Sequence, residues 1–261
     1  MPVLASQPTL LTEVFPPTAL GPMAALLLLA DGRFPAGGHA HSAGVEAAVG
    51  DGRITDTASL TAFTEGRLRT VGLVDIAFAM VTAVHLGPSG PAERGAPGPP
   101  LDDTAIRRVL DRLDAEVDAR TPAPPLRAAS RRLGRQLVRV GARCWPSALL
   151  DLAVEAGLDP HQSVAFGLVG LAGGLGVEDI GHLVAHHTVT TPMQAGVRLL
   201  GLDPFAAAAS MSALAVVAAA VVTAAMDQAA GPIEALPARS ASLIELAAVT
   251  HASADGRLFA T

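Results

Sequence analysis

TAIRRVLDRLDAEVDAR, residues 104–120, carries its apolar side chains at a single spacing. Ile106, Val109, Leu110, Leu113 and Val117 recur at i, i+3, i+4, i+7 and i+11, with charged residues filling the opposite positions. That period gathers the apolar groups into one stripe of an α-helix and turns the charges to water. TPAPP, 121–125, ends the run, because proline lacks the amide a helix interior needs. A second helix then sets Leu126, Leu133, Leu137 and Val140 on one side.

The same period recurs outward in both directions. It predicts helices at about 22–30, 42–50, 56–70, 73–86, 147–157, 161–174, 178–200, 204–228 and 240–250. Asp203 stands where a side-chain oxygen accepts from the free amides of a first turn, and Pro204 suits the next position, whose N–H is not required. No stretch alternates apolar and polar residues as a half-buried strand does. An all-α fold follows: a single helical-bundle domain of about ten helices over 21–250, preceded by a flexible tail at 1–20 and followed by a tail at 251–261. GPSGPAERGAPGPP, 87–100, reads as a Pro/Gly excursion within that bundle.

Half of the 261 residues are apolar, enough for a large core, and the formal charge of −6 gives no general attraction to nucleic acid or to anionic membranes. Cys144 is the one cysteine, which removes internal disulfides and zinc sites built on paired thiolates. The basic residues are all arginine, and tyrosine is absent, so no P-loop lysine, Schiff-base lysine or tyrosine acid is available. The amino terminus lacks the charged start of a signal peptide. FAAAASMSALAVVAAAVVTAA, 205–225, is long enough to span a bilayer, but it is mostly alanine and has acids at its flanks; it is expected to be a buried helix of a soluble protein.

RFPAGGHAHSAGVEAAV, 33–49, admits three readings: a metal site, a phosphate loop or the lead-in to a helix. His39 and His41 lack a third ligand nearby, and the glycines have neither P-loop nor dinucleotide spacing. The third reading is preferred, with Ser42 as N-cap and Glu46 in the first turn. GLAGGLG, 170–176, fails the same phosphate-loop tests. His182 and His186 share a helix face in EDIGHLVAHH without the glutamate of HExxH, so a packed or half-exposed pair is preferred there too. No nucleophile elbow is present, and no catalytic residue, metal or cofactor is expected.

Arg127, Arg131, Arg135, Arg139 and Arg143 lie four residues apart, beside Arg132, in a stretch with no acid between 121 and 150. On a helix this row repels itself unless negative charge lies along it. The charge comes either from acids of helix 104–120, among them Asp111, Asp114 and Glu116, or from an acidic partner protein; the sequence leaves both open.

With these residues laid out, the chain resembles the urease accessory protein F family (UreF). The family's opening signature is similar to Pro35, Gly37, Gly38, His39, His41, Ser42, Gly44, Val45 and Glu46. ARTPAPPLRAASRRLGRQLVRVGARCWP, 119–146, resembles the middle block of actinobacterial members, and VRLLGLDP, 197–204, and HASADGRLFAT, 251–261, resemble two later blocks. The chain departs at Leu202 and Asp203, where many members carry Gly-Gln, and at Ala260 and Thr261, where many end in arginine and serine. The resemblance implies a cytoplasmic, homodimeric, all-helical scaffold without catalysis of its own. It implies three partners: a second urease accessory protein of the D/H type, the nickel-carrying accessory GTPase G, and apo-urease. His251, Arg257, Leu258 and Phe259 would form a docking tail, and Arg127, Arg131, Arg135 and Arg139 would meet acidic partner surface. The rival readings are a helical nucleic-acid-binding regulator working through the arginine row and a nickel-binding protein using His182, His186 and the loop histidines.

Overall fold

A computed structural model describes residues 21–87, 102–252 and 259. The expected tail at 1–20 and all but the first residue of the expected linker at 87–100 lie outside the described residues, as do Arg257 and Leu258. Among the described residues the regular structure is helical and no strand occurs.

Helix α1 is Pro22–Ala30, and a 3-10 turn at Gly38–Ala40 precedes α2, Val45–Gly50. Helix α3, Thr57–Arg67, opens on a reciprocal cap: Ser59 N–H donates to Asp56 Oδ1 at 2.8 Å, and Asp56 N–H donates to Ser59 Oγ at 3.1 Å. A π turn, Leu68–Gly72, joins α3 to α4, Leu73–Leu86, so that one rod stands where the sequence predicts two helices. Helix α5, Asp103–Arg120, is capped by Asp102, which accepts from Ala105 N–H at 2.7 Å. Helix α6, Pro124–Cys144, begins on prolines, and α7, Ala148–Glu155, is capped by Ser147. Helices α8, Gln162–Ala172, α9, Val177–Leu200, and α10, Pro204–Ala229, follow, and α11, Ser242–Ala252, closes the series. Asp203 caps α10 as expected, accepting from the amides of Phe205 and Ala206 at 3.0 and 3.2 Å.

Helix α4 is the axis of the core. It packs against α8, α9 and α10 and is also touched by α5, and Leu73 through Ala83 are buried except for Asp75. Packed on several sides, it is apolar except for Asp75, Thr82 and His85. Helix α6 packs on α8 and α7, and α11 lies across α6 and α2. Arg120, at the end of α5, ties in the 3-10 turn Ile233–Ala235. Its guanidinium donates to the carbonyls of Glu234, Leu236 and Pro237 at 3.0, 3.2 and 3.1 Å, and it lies 5.4 Å from the Phe78 ring centre.

Two expectations are corrected. Ser42 is not the N-cap of α2: Gly44 holds that place with φ +91°, and Ser42 is buried two residues earlier, its carbonyl accepting from Val45 N–H at 3.1 Å. The chain turns through a left-handed step at Ala43 and Gly44 before the helix starts, so a hydroxyl cap at residue 42 is out of register. The second correction concerns 205–225. One face of α10, with Ala207, Leu214, Ala218, Val221, Val222 and Ala225, is buried, while Phe205 and Val216 are 83% and 77% exposed. Alanine is small enough to leave an uncharged face in water at modest cost, so composition alone overstates the burial. The rods Thr57–Leu86 and Pro204–Ala229 are both long and apolar enough to cross a membrane by length and composition; the first is mostly buried in the protein.

Candidate functional site

Residues 31–46 form a loop held between α6 and α11. Asp31 Oδ1 accepts from Arg33 N–H at 2.9 Å, and Phe34 is buried with its ring 6.0 Å from that of Trp145. The Pro35 carbonyl accepts from Gln136 Nε2 of α6 at 2.9 Å. Gly37 has φ +83°, and a methyl there would sit 2.7 Å from Gln136 Oε1, so both the backbone angle and the close approach of α6 call for glycine. Gly44 turns the chain again, with its α-carbon side against Ile244 of α11. Around Gly38 the space is open, and His41 is half-buried.

This loop reaches the far end of the chain through Glu46. Its Oε2 accepts from Phe259 N–H at 3.1 Å, and the Phe259 ring lies under the guanidinium of Arg198, 4.4 Å from ring centre to Cζ. Phe259 is 8% exposed. The signature residues Pro35, Gly37, Gly38, His41, Ser42, Gly44 and Glu46 are thus one connected loop, and it shares its surroundings with the tail residue Phe259 and with Arg198 at the end of α9. His251 lies in the last turn of α11.

The arginine row divides. Arg131 bridges Asp114 Oδ2 and Asp118 Oδ2 at 2.5 and 2.8 Å, Arg135 pairs with Asp159, and Arg127 donates to the carbonyls of Thr121 and Pro122 at 2.7 and 2.8 Å with Asp118 3.7 Å away. Acids of α5 do lie opposite, namely Asp114 and Asp118, with Asp159 added from the segment between α7 and α8; Glu116 pairs instead with Arg120, and no ion pair of Asp111 with the row is formed among the described residues. Arg139 and Arg143 are exposed, and no ion pair is formed by them among the described residues. Arg131 and Arg135 are thus neutralised within the chain.

Beneath this bridge sits a group the sequence did not single out. His161 is fully buried; its main-chain N–H donates to Asp114 Oδ1 and its Nε2 to Asp118 Oδ1, both at 2.9 Å. Burial holds His161 below the ordinary histidine range despite the two carboxylates, and among the described residues Nδ1 has no hydrogen-bond partner. Burial alone would raise Asp118, but the hydrogen bonds from His161 and Arg131 outweigh it and hold that carboxyl below its usual range. The pairing was hidden because a histidine after Asp-Pro in a loop carries no periodicity.

His182 and His186 are exposed, the first 3.9 Å from Glu178, and among the described residues no group of three or more His, Cys, Asp or Glu side chains is gathered as a metal ion would need.

Comparison with known proteins adds the family. The family model UreF matches residues 54–215, a span that begins after the signature loop. The chain is similar to the urease accessory protein UreF of Mycolicibacterium vanbaalenii, 45% identical over 192 residues that cover 74% of this chain and 80% of the relative. It is similar to the proteins of the same name from Mycobacterium tuberculosis and Mycobacterium marinum, 40% and 41% identical over 182 residues, covering 70% of this chain and 75% of each relative. With an all-helical bundle and a match across more than half its length, the chain belongs to the UreF family of urease accessory proteins.

Proposed function

We propose that this protein is a non-catalytic cytoplasmic scaffold of urease maturation. It assembles with a second accessory protein of the D/H type and with the nickel-carrying GTPase G on apo-urease, and the assembly inserts nickel. Holding the GTPase in that assembly gives the scaffold a means of regulating it. Family membership supports the setting, and one observation carries the scaffold role: large apolar side chains left in water on several helices, α10 and α11 among them. Phe205 and Val216 stand out from α10, and Leu243, Leu246 and Val249 from α11. Covering such a side chain in an interface contributes about 1.5–3 kcal/mol, and exposed patches of this kind mark docking surfaces.

The two helices divide the work. The outer face of α10 bears no charge from Pro204 to Met226 and is mostly alanine, so a second copy approaches closely and meets the same smooth surface, giving the homodimer. The α11 edge is continuous with the tail. Phe259 is seated on its own chain, so the second accessory protein reads the surface that this residue completes, and His251, Arg257 and Leu258 are the tail residues assigned to the same contact. Arg139, with Arg143 beside it, is the part of the row free to meet an acidic partner.

Co-purification from cells expressing urease and its accessory proteins tests the assignment. Val216→Arg is expected to yield monomer by sedimentation, and Leu246→Asp to lose the second accessory protein and to lower urease activity and bound nickel together. Full recovery of partners and activity by both variants would overturn the scaffold reading.

A further inference from the structure

A cavity of about 230 Å³ opens within the bundle between the signature loop, α6, α8, α9 and the α3–α4 rod. Arg67 and Asp75 line it from either side of the π turn, and among the described residues neither side chain makes a hydrogen bond or an ion pair. In an unbroken α-helix residue 75 lies about 80° round the axis from residue 67, eight steps of about 100°. The wider π turn carries it back toward the same side, and such turns occur often at functional sites. Both side chains are half-buried, and both line the cavity. Among the described residues Arg67 Nε and Ser163 Oγ are buried without a hydrogen-bond partner; Ser163, on α8, is 3% exposed and lines the same cavity. The remaining wall includes Val71, Val74, Leu133 and Phe166, and its other charged groups, Asp31, Arg120, Arg198, Arg239 and Glu245, each already have a partner within the chain.

Enclosed charges without hydrogen bonds are costly, and a guanidinium fork with free donors matches a carboxylate or carbonyl oxygen. An anion alone would be repelled by Asp75, and a cation alone by Arg67. A ligand offering an oxygen acceptor and N–H donors side by side, with no net charge, satisfies both. We infer that the cavity is a binding site for a small net-neutral molecule of that kind with a short apolar body, an amino-acid zwitterion or a primary amide, its oxygen on Arg67, its N–H groups on Asp75 and its carbon body against Val71, Val74 and Phe166. Water is the rival occupant. The site is independent of the scaffold role, so its loss leaves that reading untouched.

Titration of the full-length protein with valine, isobutyramide, isobutyrate and isopropylamine, followed by saturation-transfer NMR and calorimetry, decides it. Valine or isobutyramide is expected to bind at least about tenfold more tightly than either singly charged analogue, since each of those leaves one buried charge unmatched. Valine alone identifies the zwitterion, isobutyramide alone the amide. Asp75→Asn should reverse the preference in favour of isobutyrate. Ser163→Val removes a hydroxyl without a hydrogen-bond partner among the described residues and adds carbon to the void, so it should fold normally and weaken binding independently of Asp75→Asn. Binding of neither neutral probe to the wild-type protein, or binding unchanged in Ser163→Val, would overturn the proposal.

Discussion

Glu46 and Phe259 stand 213 residues apart in the chain, and the main-chain N–H of the second donates to the carboxylate of the first at 3.1 Å. The hydrogen bond joins the signature loop to the C-terminal tail, with the Arg198 guanidinium closing over the phenyl ring. Glu46→Ala removes a charged acceptor from a half-buried donor, a change worth about 1–2 kcal/mol. The loss should appear locally, as faster proteolysis near residue 259 and weaker recovery of the second accessory protein, with the melting temperature lowered by only a few degrees. Unchanged protease sensitivity would show that the tail holds on through its ring alone.

Arg131 and Arg139 occupy equivalent places in the arginine row and differ in surroundings. Arg131→Ala leaves Asp114 and Asp118 facing each other beside a buried imidazole and should cost about 2–3 kcal/mol, discounted from a fully buried pair because the acids keep contact with water. Arg139→Ala, exposed, should change stability by less than about 0.5 kcal/mol. Denaturant midpoints of the two variants check the contrast; equal losses would mean that the bridge under Arg131 is not structural.

Gly134 and Gly66 are both helical glycines, and their replacement by alanine should have opposite signs. A methyl at Gly134 would lie 2.0 Å from the Pro160 carbonyl oxygen, so α6 and the 160–161 segment must separate; a loss above about 3 kcal/mol is expected. At Gly66 nothing lies within 4 Å, and alanine should stabilise α3 by about 0.5–1 kcal/mol. Thermal melts of the two variants, moving in the same direction, would contradict the close crossing.

Asp75 and His187 titrate with opposite effects. His187 donates through Nε2 to the Leu29 carbonyl at 2.8 Å, and burial, aided by neighbouring His186, pushes its pKa down to about 4. From pH 6.5 to 4 the unfolded chain takes a proton there that the folded chain does not, so acidification destabilises. Burial, partly offset by Arg67, raises Asp75 to about 6 from 3.8. From pH 6 to 3.8 the folded chain holds a proton that the unfolded chain has released, so acidification stabilises. Asp75→Asn should therefore be more stable than wild type by on the order of 3 kcal/mol at pH 7.5, the advantage fading as pH falls toward 3.8. Urea midpoints across that range measure it; an advantage that does not vary with pH would remove Asp75 as the titrating group.

The helices were legible because their signals are local. The stripe of 104–120, the prolines at 124 and 204 and the aspartate at 203 each specify structure within a few residues, and the observed elements begin and end close to where those residues place them. The site was legible in parts. Glycines 37 and 44 announce tight turns, yet nothing near them names Gln136 or Ile244 as the reason. The acids facing the arginine row were expected, but Asp159 comes from a loop with no period to read. Arg67 and Asp75 are visible as charges in an apolar run, though their placement on one cavity wall depends on the π turn, for which the sequence carries no sign.

That turn has a consequence for the phase of the rod. The π turn at residues 68–72 sets α4 in a different phase from α3 than continuous α-helical winding would give. Deleting one residue from 68–72 would restore continuous winding and swing everything downstream by about 100°. The core partners of Phe78 and Met80 would then face the wrong neighbours, so the length of this short segment is fixed more tightly than the identity of any side chain in it.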